Sequence, residues 1–416
     1  MKWHKQIDWV LVFCWLALAV VGLISIYSAT QGPVSQFLPE YIQRNFGNQL
    51  MWIALSIVVV IILQFTSPST FQQIAILAYL VFLGLAILTV YTGIEVGGGR
   101  RWLVIGGFRL QASEFLKIAT ILVVAQYLTS RRDISAEKLG PAIIAVILIA
   151  IPAIVVLMQN DTGTALVILS IIPIMLFWSG LPYGISLYII SPAIIGYATL
   201  FNWILGLIAA VLLTIFIFLL QKRPWLTVTS LLTGIIIVVG IEVVMTNVLQ
   251  PYQQARIQAF VNPELDPQGA GWNVMQAKTA IGSGGLSGKG FMEGTQTQLR
   301  FLPEQWTDFI VCVIGEEFGF MGTSLIMFLF TVMLLRLLNN AGDYKHPFGQ
   351  LVFVGVTGLF LVHILINIGS ATGLLPVIGL PLPFLSYGGS SFLANSLMIG
   401  ICLNLYMYRR EFSLFN

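Results

Sequence analysis

Asp308 stands in FLPEQWTDFI, residues 301–310, where a polar, glycine-rich stretch gives way to an apolar segment long enough to cross a bilayer. A carboxylate there is either a helix N-cap, which the helix dipole favours, or an ionised base reachable from water. Glu316 and Glu317 follow in the same segment, about 12 Å deeper at helical rise. One of two adjacent carboxylates must then face the bundle interior, and ionisable groups at membrane depth are functional candidates by default. QASEFLKIA sets Glu114 and Lys117 three apart on one helix face. That spacing reads as a structural ion pair, or as the lining of a polar cavity. Asp161, in MQNDTGTAL, reads as an N-cap. GGGRRWLVIGG brings together Arg100, Arg101 and Trp102. Arginine forks suit phosphate geometry and tryptophan suits the membrane interface, so headgroup anchoring and ligand binding are equally supported.

GSGGLSGKG invites a nucleotide-loop reading and fails it. Ser283 occupies the position a P-loop needs as glycine, and Gly290 follows the lysine where Ser or Thr is required. What remains is a glycine-rich turn. It is either mobile, or it offers backbone amides and Lys289 to an anion. No HExxH or CxxC spacing exists, and His4, His346 and His363 lie far apart, which argues against a protein-only zinc site. Cys14, Cys312 and Cys402 all lie in apolar segments and read as small core residues.

These groups have to be positioned by a chain whose solvent is mostly lipid. It has 416 residues, 57% of them hydrophobic and 9% charged, and its mean hydropathy is +0.91. Soluble domains carry roughly 25% charged residues. The net charge of +3, without a basic run, gives no support for a nucleic-acid partner. Twelve segments qualify as spans: 8–29, 46–64, 72–92, 112–129, 140–158, 163–179, 184–200, 203–221, 226–248, 308–336, 350–372 and 386–408. Pro192 and the tight FNWIL junction blur the seventh and eighth. The first is too long for a signal-peptide core and reads as a retained helix. With a cytoplasmic N-terminus, inner segments hold eleven Lys and Arg against eight outside. The positive-inside rule then puts both termini in the cytoplasm. The fold class is therefore an all-α, polytopic transmembrane bundle, one domain over residues 1–416. A large extracytoplasmic loop covers residues 250–307, within which WNVMQAKTAI reads as a short surface helix.

RRWLVIGGFRLQASEFLKIA, DPQGAGWNVMQAKTAIGSGGLSGKGFMEGTQTQLRFLPEQWTDFI, GEEFGFMG and GLPLPFLSYGGSS together resemble the SEDS family (RodA, FtsW and SpoVE) over nearly the whole chain. GTQTQL and the GSGGLSGKG turn place the resemblance in the RodA branch. Trp306 stands where the family often has His, Val311 where Phe is usual, and Ala112 where Pro is usual. The family typically has ten helices, so residues 184–225 look like an added hairpin.

The resemblance implies a peptidoglycan glycosyltransferase that joins lipid II units during cell elongation and shape maintenance in the bacterial cytoplasmic (inner) membrane. It makes Asp308, the aspartate of the TDF motif, the catalytic residue. Candidate substrate-binding residues are Arg101, Trp102, Lys289, Gln298, Arg300 and Glu304. Glu114, Lys117, Glu316 and Glu317 are candidates for a structural ion pair or a polar cavity. A divalent cation, Mg²⁺ or Mn²⁺, is expected beside the pyrophosphate, with no organic cofactor. Expected partners are lipid II, membrane lipid, a class B penicillin-binding transpeptidase and other elongation-complex membrane proteins. The alternative is a lipid II flippase or other transporter, which a helical bundle with buried charges would equally suit.

Overall fold

The computed structural model describes residues 7–32, 39–96, 98–106, 108–131, 139–247, 249, 251–262 and 270–409. Lys2, Lys5, Arg132, Lys138, Arg410 and the DPQG part of the long loop motif lie outside the described residues. In chain order the elements are α1 (Trp9–Gln31), α2 (Glu40–Gln43), α3 (Asn45–Leu63), α4 (Pro68–Thr92), β1 (Ile94–Val96), β2 (Gly99–Ile105), β3 (Phe108–Leu110), α5 (Ala112–Thr129), α6 (Gly140–Met158), α7 (Thr162–Trp178), α8 (Tyr183–Phe201), α9 (Trp203–Gln221), α10 (Pro224–Asn247), α11 (Pro251–Val261), α12 (Ala270–Ser283), α13 (Thr295–Gln298), α14 (Ile310–Asp343), α15 (Pro347–Thr372) and α16 (Gly389–Met407).

All twelve expected spans are helices. Eleven are long and apolar enough to cross a membrane, and α7, with 17 residues, is the short one. α8 runs unbroken through Pro192, and one residue separates it from α9: Asn202, whose side chain accepts from the Ile204 amide at 2.8 Å. α8, α9 and α10 share a small hydrophobic cluster of their own, centred on Ile195, Ala210 and Val238. The bundle centre lies elsewhere. In α5, α15 and α16 between 78 and 83% of the apolar window is buried, against 17 to 22% in α3, α4 and α9.

Two features were not expected. The stretch after α4 is a three-stranded antiparallel meander, β1-β2-β3. α11 precedes the expected surface helix, which is α12.

α1 and α14 run antiparallel and are clamped by polar contacts near both ends. At one end Asp8 caps α1, accepting from the Leu11 amide, and also accepts from Arg336 Nε at 2.7 Å and Asn340 Nδ2 at 2.8 Å. At the other, the Ser28 hydroxyl donates to Glu317. Twenty residues of helix separate Asp8 from Ser28, about 30 Å, which is the thickness of a hydrocarbon core. α14 has 34 residues, so its first two turns must project beyond that layer.

The connection from α15 to α16 folds back into the bundle. Irregular backbone at such depth is tolerated only when buried in protein. Gly22 of α1 makes this possible: a Cβ there would lie 2.6 Å from the Phe384 carbonyl oxygen and 2.7 Å from the Leu385 Cα. Phe384 holds φ 66°, a left-handed value costly for a bulky residue. Its buried ring, edge-on to Phe360 and Phe392, holds it there.

Gly22→Leu should therefore lower thermal stability in detergent, by about 1–3 kcal/mol for overpacking against backbone. Gly84→Leu, at a position with nothing within 4 Å, is the control and should leave the melting temperature unchanged. Equal melting curves for the two variants would contradict the re-entrant packing.

Candidate functional site

Asp308 does not cap α14. The N-cap is Phe309, with no side-chain cap, so the capping alternative is excluded. Asp308 instead lines a pocket of about 90 Å³ with Arg256, Asn273, Val274, Pro303, Glu304, Phe309 and Val377. The carboxyl is partly exposed yet closely surrounded by protein atoms. Its backbone is held firmly. The Asp308 amide donates to the Glu304 carbonyl at 3.1 Å, and the Asp308 carbonyl accepts from Asn367 Nδ2 at 3.0 Å. Asn367 donates from the same nitrogen to the Leu380 carbonyl at 2.7 Å, tying the site to the re-entrant loop. Gly379 closes the pocket: a Cβ there would sit 3.4 Å from Asp308 Oδ2.

Burial pushes the Asp308 pKa up to about 6, and the negative charge of Glu304 adds to the rise. Arg256, Arg101 and the Thr307 hydroxyl oppose it. Glu304 is exposed and holds a left-handed φ of 49°. Its carbonyl and carboxylate accept from the Thr307 hydroxyl at 3.1 and 3.3 Å.

Arg256 is the site residue that sequence reading missed, having counted it only as an outer charge. α11 carries it into the pocket, and Arg256 Nη1 reaches the Val377 carbonyl at 3.5 Å. Phe260, one turn further along α11, packs edge-to-face on Phe201 and tilted on Tyr197 of α8. Tyr197 also donates to the Leu374 carbonyl at 2.9 Å. The added hairpin thus touches both α11 and the re-entrant loop.

The paired arginines separate. Successive strand residues point to opposite faces. Arg101 turns inward, donating to the Asn160 carbonyl at 2.5 Å and lying 3.9 Å from Asp161. Arg100 is exposed on the outward face, and Trp102, partly exposed, follows it there. Asp161 caps α7 as expected, accepting from the Thr164 amide at 3.1 Å.

Other expected site residues lie in a separate network. Both Glu316 and Glu317 are buried, not one of them, and at the membrane boundary rather than deep within it. The reason is the length of α14: Glu317 is level with the end of α1. Glu316 accepts from Lys289 Nζ at 2.7 Å and from the Gln296 and Thr297 amides at 2.9 and 2.8 Å. Glu317 accepts from Ser28 and from Gln298 Nε2 at 2.8 Å.

The glycine-rich turn is hydrogen-bonded to α14. It replaces the hydrogen bonds that α14 loses where Gly319 (φ 63°, ψ −156°) breaks its helical geometry. Lys289 and Gly290 donate to the Glu316 and Glu317 carbonyls at 2.9 and 3.1 Å. Phe320 and Met321 donate to those of Gly285 and Leu286 at 2.9 and 3.1 Å. The anion that Lys289 meets in this structure is Glu316. Arg300 Nη2 donates to the Ala29 carbonyl at 3.3 Å, and its guanidinium lies 5.6 Å from the Trp306 ring centroid. Burial lowers the Arg300 pKa.

Glu114 and Lys117 form a fully buried ion pair at 3.0 Å. Lys117 Nζ also lies 3.0 Å from His363 Nε2, while His363 Nδ1 lies 3.3 Å from the Pro381 carbonyl. An imidazole protonated at Nδ1 satisfies both contacts, so the lysine's charge has the partners a buried ion needs.

Among curated proteins, the chain is 31% identical to the peptidoglycan glycosyltransferase RodA of Treponema pallidum, over 96% of this chain and 98% of that one. It is 32% identical to the peptidoglycan glycosyltransferase MrdB of Escherichia coli, over 99% and 96%. Among solved structures, a chain from work on polymerization and crosslinking by a peptidoglycan synthase complex superposes with TM-score 0.73 at 24% identity, covering 97% of this chain and 99% of that one. Thermus thermophilus RodA superposes with TM-score 0.63 at 24% identity, covering 97% and 98%. These two likenesses show the fold. The family model described as cell cycle protein matches residues 8–206 and 204–411. The two stretches meet at the start of α9, inside the α8–α9 hairpin. Matched along nearly its whole length, the chain belongs to the FtsW/RodA/SpoVE family.

Proposed function

We propose that this chain is a peptidoglycan glycosyltransferase of the elongation machinery, polymerising lipid II at the outer face of the cytoplasmic membrane, with both termini in the cytoplasm. One observation carries the reading. A carboxyl group that neither caps its helix nor, among the described residues, completes an ion pair stands in an open pocket beside a second carboxylate and an arginine.

A pKa near 6 suits a general base, since the group is ionised at neutral pH yet still basic enough to take a proton. Asp308 accepts the proton of the acceptor's sugar 4-hydroxyl as that oxygen attacks the anomeric carbon of the donor chain. The configuration inverts, and undecaprenyl pyrophosphate leaves. The pocket admits the reacting edge of a sugar, and the rest of the saccharide lies outside it. Arg256 and Arg101 are the cations best placed for the pyrophosphate, because charge stabilisation needs donors fixed in advance.

A divalent cation, Mg²⁺ or Mn²⁺, fits the exposed Glu304 carboxylate, since Mg²⁺ sites pair one or two carboxylates with substrate phosphates. No cluster of three metal-ligating side chains exists among the described residues to offer a full protein cage. Such an ion would neutralise charge on the departing pyrophosphate. A class B penicillin-binding transpeptidase is the proposed partner for crosslinking, within an assembly of other elongation proteins.

The test is glycan polymerisation from lipid II in detergent, where no membrane has sides to cross. Wild type should polymerise, and Asp308→Asn should lose about 10²–10⁴-fold in rate, the worth of a general base. Its melting temperature should equal or exceed that of wild type, because a partly buried carboxylate with a raised pKa costs stability when ionised. An inert wild type in detergent would favour a transporter. A fully active Asp308→Asn variant would remove the catalytic assignment.

The pH profile supplies a second check. Because the base works ionised, the rate should fall as pH drops through about 6. Glu304→Gln removes a like charge and should move that inflection down. Arg256→Ala removes an opposing charge and should move it up. Shifts of the same sign in both variants would contradict the electrostatic account of the pocket.

A further inference from the structure

On the outward side of the β1-β2 hairpin lies a second pocket, of about 260 Å³, lined by Val90, Glu95, Gly98, Arg100, Met158, Gln159 and Asn160. It sits between the C-terminal ends of α4 and α6, outside the Asp308 site. Glu95 and Arg100 are direct partners in the antiparallel register. Both are exposed, and neither makes an ion pair or side-chain hydrogen bond among the described residues. An unlike pair held adjacent and unjoined leaves one cation and one anion available to a ligand.

Gln159 supplies a third element. It is 1% exposed. Its Nε2 donates to the Ala86 carbonyl at 2.7 Å, and its Oε1 has no partner. Anchored in this way, Gln159 forms the inner wall of the pocket. The C-terminal ends of α4 and α6 also favour a positive group, because the last carbonyls of a helix carry partial negative charge. Val90 and Met158 give the pocket an apolar floor.

We propose that this pocket binds the phosphoethanolamine headgroup of a bilayer lipid. The phosphate rests on the Arg100 guanidinium. The ammonium, with its three N–H donors, rests on the exposed Glu95 carboxylate. The acyl chains run down past Val90 and Met158. A purely anionic headgroup uses Arg100 but meets Glu95 unfavourably, and a trimethylated one has no N–H to donate to the Glu95 carboxylate. Asn160 links the pocket to Arg101 on the other face of β2. Asn160, at φ 59°, donates from its side chain to the Gly98 carbonyl at 3.2 Å while its own carbonyl accepts from Arg101.

Native mass spectrometry of the full chain, exchanged into equal parts phosphatidylethanolamine, phosphatidylglycerol and phosphatidylcholine, tests this. Wild type should retain phosphatidylethanolamine over each of the others by about tenfold, the worth of one charge-assisted hydrogen bond. Arg100→Ala should retain none of the three. Glu95→Gln, which keeps the phosphate ligand, should turn the preference toward phosphatidylglycerol. Both residues are exposed on short strands, and an unchanged melting temperature checks that each variant is folded. Equal retention of the three lipids by wild type, or an unaltered preference in Glu95→Gln, would overturn the assignment. So would displacement of the bound lipid by equimolar undecaprenyl phosphate, which would make the pocket part of the polyprenyl route.

Discussion

A helix of 34 residues does not fit inside a hydrocarbon layer about 30 Å thick. The rest of the site depends on that mismatch and on where it is taken up. The Asp8 clamp with Arg336 and Asn340 fixes one end of α14 against α1. The Glu317–Ser28 contact fixes the level of the other boundary. Everything before Glu317 must stand clear of the membrane. Asp308 therefore needs no burial in lipid and no deep aqueous channel. It stands in the turn just before a helix whose lower turns are anchored and whose upper turns are packed into the loops.

The loops are as firmly built as the helices. Gly319 interrupts α14 within a turn of that boundary. The freed backbone groups would be costly unless paired, and the glycine-rich turn pairs them. Gly284 and Gly288 approach the α14 backbone so closely that a Cβ on either would fall about 2 Å from a carbonyl oxygen. Glu316 then closes the N-terminus of α13, with Lys289 balancing its charge. The charged residues thereby sort themselves. Glu114, Lys117, Glu316 and Glu317 are all buried and all partnered. Asp308, Glu304, Glu95 and Arg100 are at least partly exposed, and among the described residues none of their side chains joins an ion pair.

Sequence alone carried the architecture far. Twelve apolar windows became twelve helices with ends shifted by a few residues, α14 excepted at its far end, because lipid imposes length and hydropathy directly on sequence. The Glu114–Lys117 pair and the Asp161 cap were also legible, since both are local. What sequence could not carry was non-local. His363 lies 246 residues from its partner Lys117. Arg256 reaches Asp308 only through the packing of α11 on the hairpin. Lys289 and Gln298 were grouped with the substrate ligands because their loop looked open, and only the broken geometry at Gly319 shows what the loop pairs with. The strands of residues 94–110 were hidden by their brevity and by flanking glycines, which read as coil.

The charges around Asp308 bear on what the site can accept. Asp308 and Glu304 contribute two negative charges when ionised, and Arg256 and Arg101 two positive ones, although Arg101 is partly engaged by Asp161. These four groups together are thus close to neutral or slightly negative. A pyrophosphate adds negative charge and would raise the Asp308 pKa further, protonating the base just when it must be ionised. Two effects counter this. Under the proposed function Arg256 would face both the phosphate and the carboxyl, and a divalent cation on Glu304 would cancel the like charge that opposes ionisation of Asp308. On this argument the second carboxylate is not a spare base. It raises the proton affinity of Asp308, and a cation held by Glu304 would lower it.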